Sequence, residues 1–245
     1  MNRKRGIYEK VIKRLFDIVC SFLFIAVFWW VLLIIALKVK KKLGSPVLFR
    51  QPRPGMIDPK TGKERVFEMI KFRTMSDERD ENGELLPNEE RIDDFGRALR
   101  GTSLDELPEV FNILKGDMSI IGPRPQLVRD MVFMTEEQRV RHTAKPGLTG
   151  LAQVKGRNAI SWEEKFEYDL EYVRNISFRE DLDVFWKTVE KMILRKSSEV
   201  PDVEIDFAPD YGDDLLQKGM ITREEYDAKQ KEAEAILEEF RGAGK

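Results

Sequence analysis

The chain is poor in the residues that most metal and redox chemistry relies on. It has one cysteine, Cys20, and one histidine, His142. A single cysteine excludes a disulfide framework and any multi-cysteine metal site. A single histidine excludes a histidine-rich metal cluster, and His142 reads as a structural hydrogen-bonding residue rather than a catalyst. Positive charge is not in surplus: 42 Lys and Arg stand against 44 Asp and Glu, which leaves no footprint for nucleic acid. Walker loops, G-x-G-x-x-G, zinc-ligand spacings and internal repeats are also missing.

What the chain does have is apolar sequence collected in one place. Residues 15–37 read LFDIVCSFLFIAVFWWVLLIIAL, 23 residues with one charge, Asp17. A helix of that length rises roughly 35 Å, enough for a hydrocarbon core of ~30 Å. The segment is too long for a signal peptide and lacks a small-residue cleavage site. Arg3, Lys4, Arg5, Lys10, Lys13 and Arg14 precede it, and Lys38, Lys40, Lys41 and Lys42 follow. Positive charge marks the cytoplasmic side of a membrane segment. Since both flanks carry it, the pattern favours a helix that enters, bends and leaves on one face.

The rest divides into a catalytic domain at 44–199 and a charged extension at 200–245, after the anchor at 1–43. Pro46, Pro52 and Pro54 interrupt any helix after the anchor. Residues 66–75, VFEMIKFRTM, alternate like a strand. Residues 77–94 hold nine acids and two arginines and read as a solvated loop with a short helix. Residues 95–101 read as a helix end capped by Gly101. Ser103 to Glu106 has the pattern of a capping box, with Gly116 as the helix stop. DMSIIGPRPQ is strand-like, residues 144–158 form a glycine-rich basic loop, and a second capping box opens at Ser161. Between Arg179 and Lys196, Leu182, Phe185, Trp186, Val189, Met192 and Ile193 recur at helical spacing, which suits either core packing or a membrane surface. The C-terminal helix resembles a short oligomerisation module of the SHOCT type, so homo-oligomers remain open.

The groups able to do chemistry are carboxylates and a larger set of cations beside glycine and proline. That set suits phosphate chemistry, whose transition state needs charge neutralisation and positioning. Asp105 and Glu106 are adjacent. They are a helix-start device, a solvated pair or a reactive pair. Neighbours on a helix point about 100° apart, so the two would not address one atom in the same way. That argues against a glycosidase acid/base pair and permits divided labour. An ionised carboxylate near a helix N-terminus can bind Mg²⁺ or attack phosphorus. Lys71 and Arg73 would share one face of the strand, while Arg124 lies between two prolines and Arg157 follows a glycine.

Together KRLFDIV (13–19), KFRTM (71–75), SLDELPEVFNILKGDMSIIGPRP (103–125), KPGLTGLAQVKGRN (145–158) and YVRNISFREDL (172–182) resemble the bacterial sugar transferases. These are monotopic polyprenol-phosphate phosphoglycosyl transferases, and the small single-domain members are the most similar. The resemblance implies a helix-rich α+β fold: a re-entrant membrane helix plus a small cytoplasmic domain with short strands and amphipathic interfacial helices. It implies transfer of a phospho-sugar from a UDP-sugar to polyprenol phosphate, releasing UMP, with Mg²⁺ and a covalent intermediate. Asp105 matches the nucleophile and Glu106 its partner, both at the metal. Lys71, Arg73, Arg100, Arg124, Arg157 and Asp181 match positions tied to phosphate or nucleotide handling, or to site integrity. The implied location is the cytoplasmic face of a bacterial inner membrane, with membrane lipid and both substrates as partners and no nucleic acid. One departure is Trp29-Trp30, where the family commonly has Ser-Pro at the bend. A reading of a different class is a catalytically silent membrane scaffold that assembles through its C-terminal helix.

Overall fold

A computed structural model describes residues 3, 5–156, 160–194 and 209–243. A π-helical turn at Tyr8–Ile12 runs directly into α1 (Lys13–Leu43). The two make one helical stretch of 36 residues whose apolar part is mostly exposed. No proline or glycine interrupts it. Trp29 and Trp30 keep their backbone N–H groups, so the ladder continues where Ser-Pro would break it. Gly44 ends the helix at a φ of 76°, a conformation that favours glycine.

α1 touches the domain near both of its ends. At the start, Arg14 donates to the carbonyls of Ile113 and Leu114 at 2.6 and 2.7 Å. Asp17 accepts from Ser119 Oγ and Ile120 N–H, both at 3.0 Å. At the far end, Ile35 and Val39 are buried against Phe72 and Leu99. Burying such side chains stabilises the fold by roughly 1.5–3 kcal/mol each. Between these ends, residues 22–34 contain no buried side chain.

β1 (Leu48–Ile57) and β2 (Glu64–Phe72) pair antiparallel, with Phe49 opposite Lys71. Pro52 and Pro54 sit inside β1, where the sequence suggested only a helix interruption. In a two-stranded sheet each strand has an unpaired edge, so a missing N–H can be tolerated there. A loop with short α2 (Asn88–Arg91) leads to α3 (Asp94–Gly101), whose N-cap Asp93 accepts from Gly96 N–H at 2.7 Å. A 3₁₀ turn at Leu104–Glu106 precedes α4 (Glu109–Lys115). β3 (Ser119–Ile121) pairs parallel with β4 (Gly147–Thr149). Between them lie α5 (Val128–Met131) and a 3₁₀ turn at Gln138–Thr143. The segment expected as a glycine-rich loop therefore supplies β4 and α6 (Leu151–Lys155). Its glycines serve close packing instead: a Cβ on Gly147 would lie 2.1 Å from Gly122 N, and one on Gly150 2.2 Å from Gly122 O.

α7 (Trp162–Arg174) opens with the expected capping box at Ser161 and Glu164. α8 (Phe178–Leu194) buries Asp181 and Val184 but exposes Phe178, Leu182, Phe185, Trp186 and Met192. Most of its apolar residues are thus not core. An exposed face of that size is the mark of a partner or membrane surface. α9 (Tyr211–Gln217) and α10 (Arg223–Ala243) pack back on the domain. Tyr211 meets Phe166 and Met134, while Ala233, Ile236 and Leu237 lie against Val128, Met131 and Val132.

Candidate active site

Two positions after the end of α3, the chain turns through Ser103 in a left-handed conformation, φ 57°. An N-cap needs extended backbone there, so the capping box suggested by Ser103 to Glu106 does not form. The next two residues after Leu104 are the carboxylates, carried on the 3₁₀ turn with α4 beginning only at Glu109. The turn sends the two side chains to different surroundings.

Glu106 is held. Its Oε1 accepts from Lys71 Nζ at 2.8 Å and from the Arg124 guanidinium. Burial opposes its charge, but Arg124 and Lys71 outweigh burial and keep the carboxyl well below the usual range. The same pair raises Arg124, with the Glu106 charge as the main cause. Asp105 is different. Its side chain is 7 % exposed and makes no hydrogen bond or ion pair within the described residues. Burial pushes its pKa up, opposed by the Lys71, Arg100 and Arg124 charges. Asp105 is thus an unencumbered carboxylate in a cationic field, and Arg124 keeps 36 % side-chain exposure beside it.

Lys71 reaches this point because it is the next-to-last residue of β2, and β2 is fixed from the side by α4. Asn112 of α4 accepts from Ile70 N–H at 3.0 Å and donates to the Glu68 carbonyl at 2.7 Å, filling the edge of the strand. Arg124 is held through its backbone. The Pro123 carbonyl accepts from Gly147 N–H at 2.9 Å, the Arg124 carbonyl from Arg141 at 2.6 Å, and the Pro125 carbonyl from Arg53 at 3.1 Å. Arg141 is itself paired with Asp169 at 2.6 Å, both fully buried. Burial lowers Arg53 to about 10.

Four further expected residues lie elsewhere. Arg100 sits within electrostatic reach of Asp105 and is oriented by Thr74 Oγ1 at 3.0 Å. Arg73 leaves this face altogether: it donates to the Leu43 carbonyl at the end of α1 and to Asp77 at 2.6 Å. β2 stops at Phe72, so strand alternation no longer governs Arg73, and carbonyls at a helix C-terminus attract a guanidinium. Asp181 is buried in a separate cluster, accepting from Lys13 at 2.5 Å and from Tyr8 and Tyr172 at 2.6 Å each. Arg157 lies outside the described residues. His142 is buried against Glu64 at 3.0 Å, and burial lowers it to about 4, so it is neutral at pH 7.

Glu109 is a site residue the sequence reading did not single out. It is 1 % exposed, and its Oε1 lies 3.3 Å from Lys71 Nζ, within ion-pair range but off hydrogen-bond geometry. Burial pushes its pKa up to about 7, so Lys71 stands between an ionised Glu106 and a carboxyl whose charge burial disfavours. Its signal was available: Glu109 stands one turn after Asp105. Arg53, Arg141 and Asp169 had no such signal.

Among the described residues no cluster of three metal-ligating side chains exists. Asp105 and the free side of Glu106 fit a hard cation that takes one or two carboxylates and completes its shell with substrate phosphate and water.

Residues 8–195 match the family model described as bacterial sugar transferase, and the chain belongs to that family. It is 48 % identical over 184 residues to EpsL of Bacillus subtilis (strain 168), named an uncharacterized sugar transferase, covering 75 % of this chain and 88 % of that one. It is 39 % identical over 198 residues to the UDP-glucose:undecaprenyl-phosphate glucose-1-phosphate transferase of Klebsiella pneumoniae, covering 77 % of this chain but only 41 % of the relative. The undecaprenyl-phosphate galactose phosphotransferase of Salmonella typhimurium is 35 % identical over 205 residues, 77 % of this chain and 41 % of that protein. The C-terminal extension lies beyond the family match.

Proposed function

We propose that this chain is a phosphoglycosyl transferase that moves a phospho-sugar from a UDP-sugar to polyprenol phosphate. The observation that carries the reading is Asp105: buried, without a partner among the described residues, and within electrostatic reach of Lys71, Arg100 and Arg124. A carboxylate used only for structure would be paired. An Asp105 oxygen attacks the phosphorus bonded to the sugar, the bond to the bridging oxygen of the diphosphate breaks, and UMP leaves with that electron pair. A phosphate oxygen of the polyprenol phosphate then attacks the aspartyl phosphate, restoring the Asp105 carboxylate and yielding polyprenol-diphosphate-sugar. Arg124 and Lys71 neutralise charge on the phosphoryl oxygens and keep Glu106 ionised. Asp105 and Glu106 would hold Mg²⁺, which supplies further charge neutralisation at the diphosphate. The relatives named for UDP-glucose and galactose transfer fit this reaction class. The expected result is Mg²⁺-dependent UMP release from a UDP-sugar, at most one equivalent per enzyme without acceptor and catalytic once polyprenol phosphate is added. No release across a panel of hexose, N-acetylhexosamine and diacetamido-sugar nucleotides would favour the silent scaffold.

The same reading puts the domain on the cytoplasmic face, with α1 entering and leaving on that side. Support comes from the contacts of α1 with one domain near both ends. The stretch without buried side chains, residues 22–34, rises only roughly 20 Å, about two-thirds of a hydrocarbon core. Tryptophans at 29 and 30 suit a shallow interfacial apex. In a Cys20→Ser background, single cysteines at Arg3 and Lys42 should both react with a membrane-impermeant thiol reagent in inside-out vesicles and neither in intact cells. Opposite accessibility of the two positions would establish a spanning helix instead.

A further inference from the structure

A second cationic site lies apart from the carboxylate centre, between the first turns of the anchor and the ends of α4 and β3. It is a cavity of about 310 Å³ with five cations in its wall, Arg5, Lys10, Lys13, Arg14 and Lys145, and two carboxylates, Glu9 and Asp17. Glu9 is paired with Arg3 at 2.6 Å, and Asp17 accepts from Ser119 and the Ile120 N–H. No residue of its wall hydrogen-bonds or pairs with Asp105, Glu106, Lys71 or Arg124 within the described residues.

Two of the five cations are satisfied by the protein. Lys13 is neutralised by Asp181, and the Arg14 guanidinium is taken by the two carbonyls at the end of α4. Three are not. Arg5, Lys10 and Lys145 have no carboxylate partner among the described residues, and Arg5 makes only a 3.2 Å contact to Met56 Sδ. Lys145 is half-buried, and desolvation together with the Arg14 and Arg5 charges pushes its pKa down against the weaker pull of Asp17 and Asp117. Lys145 and Arg14 converge over Gly116: a Cβ there would lie 3.1 Å from the Arg14 guanidinium and 3.5 Å from Lys145 Nζ. Like charges gathered around one cavity and left unpaired are costly unless an anion occupies it. An anion offering several oxygens to several donors suits this arrangement best.

The surroundings indicate where that anion comes from. On the same turns that supply the cations, Ile7, Val11, Leu15 and Phe16 are 78, 60, 60 and 51 % exposed. The Tyr8 and Phe16 rings meet Phe178 of α8 at 6.3 and 6.1 Å, which joins this apolar surface to the exposed face of α8. The cavity therefore lies beside an apolar surface fit for acyl chains, at the level where the apolar run of α1 begins. We propose that it is a headgroup site for an anionic phospholipid of the bilayer, with the lipid phosphate bound by Lys10, Lys145 and Arg5.

The experiment uses the full chain in a neutral detergent and native mass spectrometry with four probes: phosphatidylglycerol, phosphatidylcholine, polyprenol phosphate and inorganic phosphate. One phosphatidylglycerol should be retained in preference to phosphatidylcholine by roughly tenfold. The Lys10→Ala/Lys145→Ala variant should lose that preference while releasing UMP at the unaltered rate in neutral detergent. Lys145→Arg should keep it, and Arg5→Gln should weaken it severalfold, providing a check if the double variant folds poorly. Equal retention of both phospholipids overturns the proposal. So does inorganic phosphate holding the site as well as the lipid. Displacement of phosphatidylglycerol by equimolar polyprenol phosphate, with a raised acceptor KM in the double variant, also overturns it by assigning the cavity to the acceptor. These readouts do not depend on the chemistry proposed for Asp105, so a failure here leaves that reading intact.

Discussion

Asp105→Asn should lower UMP release by roughly 10³-fold or more, as expected for loss of a nucleophile, while the protein stays folded and membrane-bound. Asn preserves the shape of the side chain and removes the attacking oxygen's charge. Stability should change little, because Asp105 donates no structure to lose: it has no hydrogen bond or ion pair within the described residues. Burial already disfavours its charge, so a neutral amide is tolerated at least as well. Glu106→Gln would be a poorer test of the same idea, since it would strip Lys71 and Arg124 of their shared acceptor. Two measurements check the prediction together. UMP release reports turnover, and intact-protein mass spectrometry without acceptor reports the phosphosugar adduct, expected in the wild type and missing in the variant. Near-normal turnover in Asp105→Asn would remove the covalent route.

The second large effect is structural. Arg141→Met should cost about 3–5 kcal/mol, the usual consequence of leaving one partner of a buried ion pair alone. Arg141 is 1 % exposed, donates to Asp169 through two nitrogens at 2.9 and 2.6 Å, and also holds the Arg124 carbonyl. Burial already raises the Asp169 pKa with Arg141 in place. For a chain of this size the loss corresponds to a fall in melting temperature of roughly 6–20 °C. Arg141→Met/Asp169→Leu should recover much of the stability, because an apolar pair can replace a buried ion pair. Activity should stay low in that double variant, because the Arg124 carbonyl is still without its donor. A melting temperature within about 2 °C of wild type for Arg141→Met would show that the pair contributes little.

The carboxylate pair, the strand that carries Lys71 and the long apolar helix were all legible as local pattern. So were the helix stop at Gly116, with its φ of 101°, and the capping box of α7. The capping box at Ser103 was legible too, and wrong, because the turn from α3 imposes a left-handed conformation that no local rule reports. Arg73 was grouped with Lys71 by alternation, yet one residue past the end of β2 it serves the terminus of α1 instead. Glu109 was marked in the sequence only by its spacing from Asp105, and its raised pKa comes from burial beside Lys71, which spacing does not report.

The sequence by itself determined the long apolar helix, the family and the adjacency of the two carboxylates, since apolar run length, motif blocks and residue adjacency are short-range properties. Only the tertiary structure decided which carboxylate is free and which is held. Lys71 and Arg124 reach Glu106 across 35 and 18 positions of chain, and Arg141 reaches Asp169 across 28. Desolvation and ion pairing depend on what surrounds a group in space, and those surroundings exist only once the chain has folded.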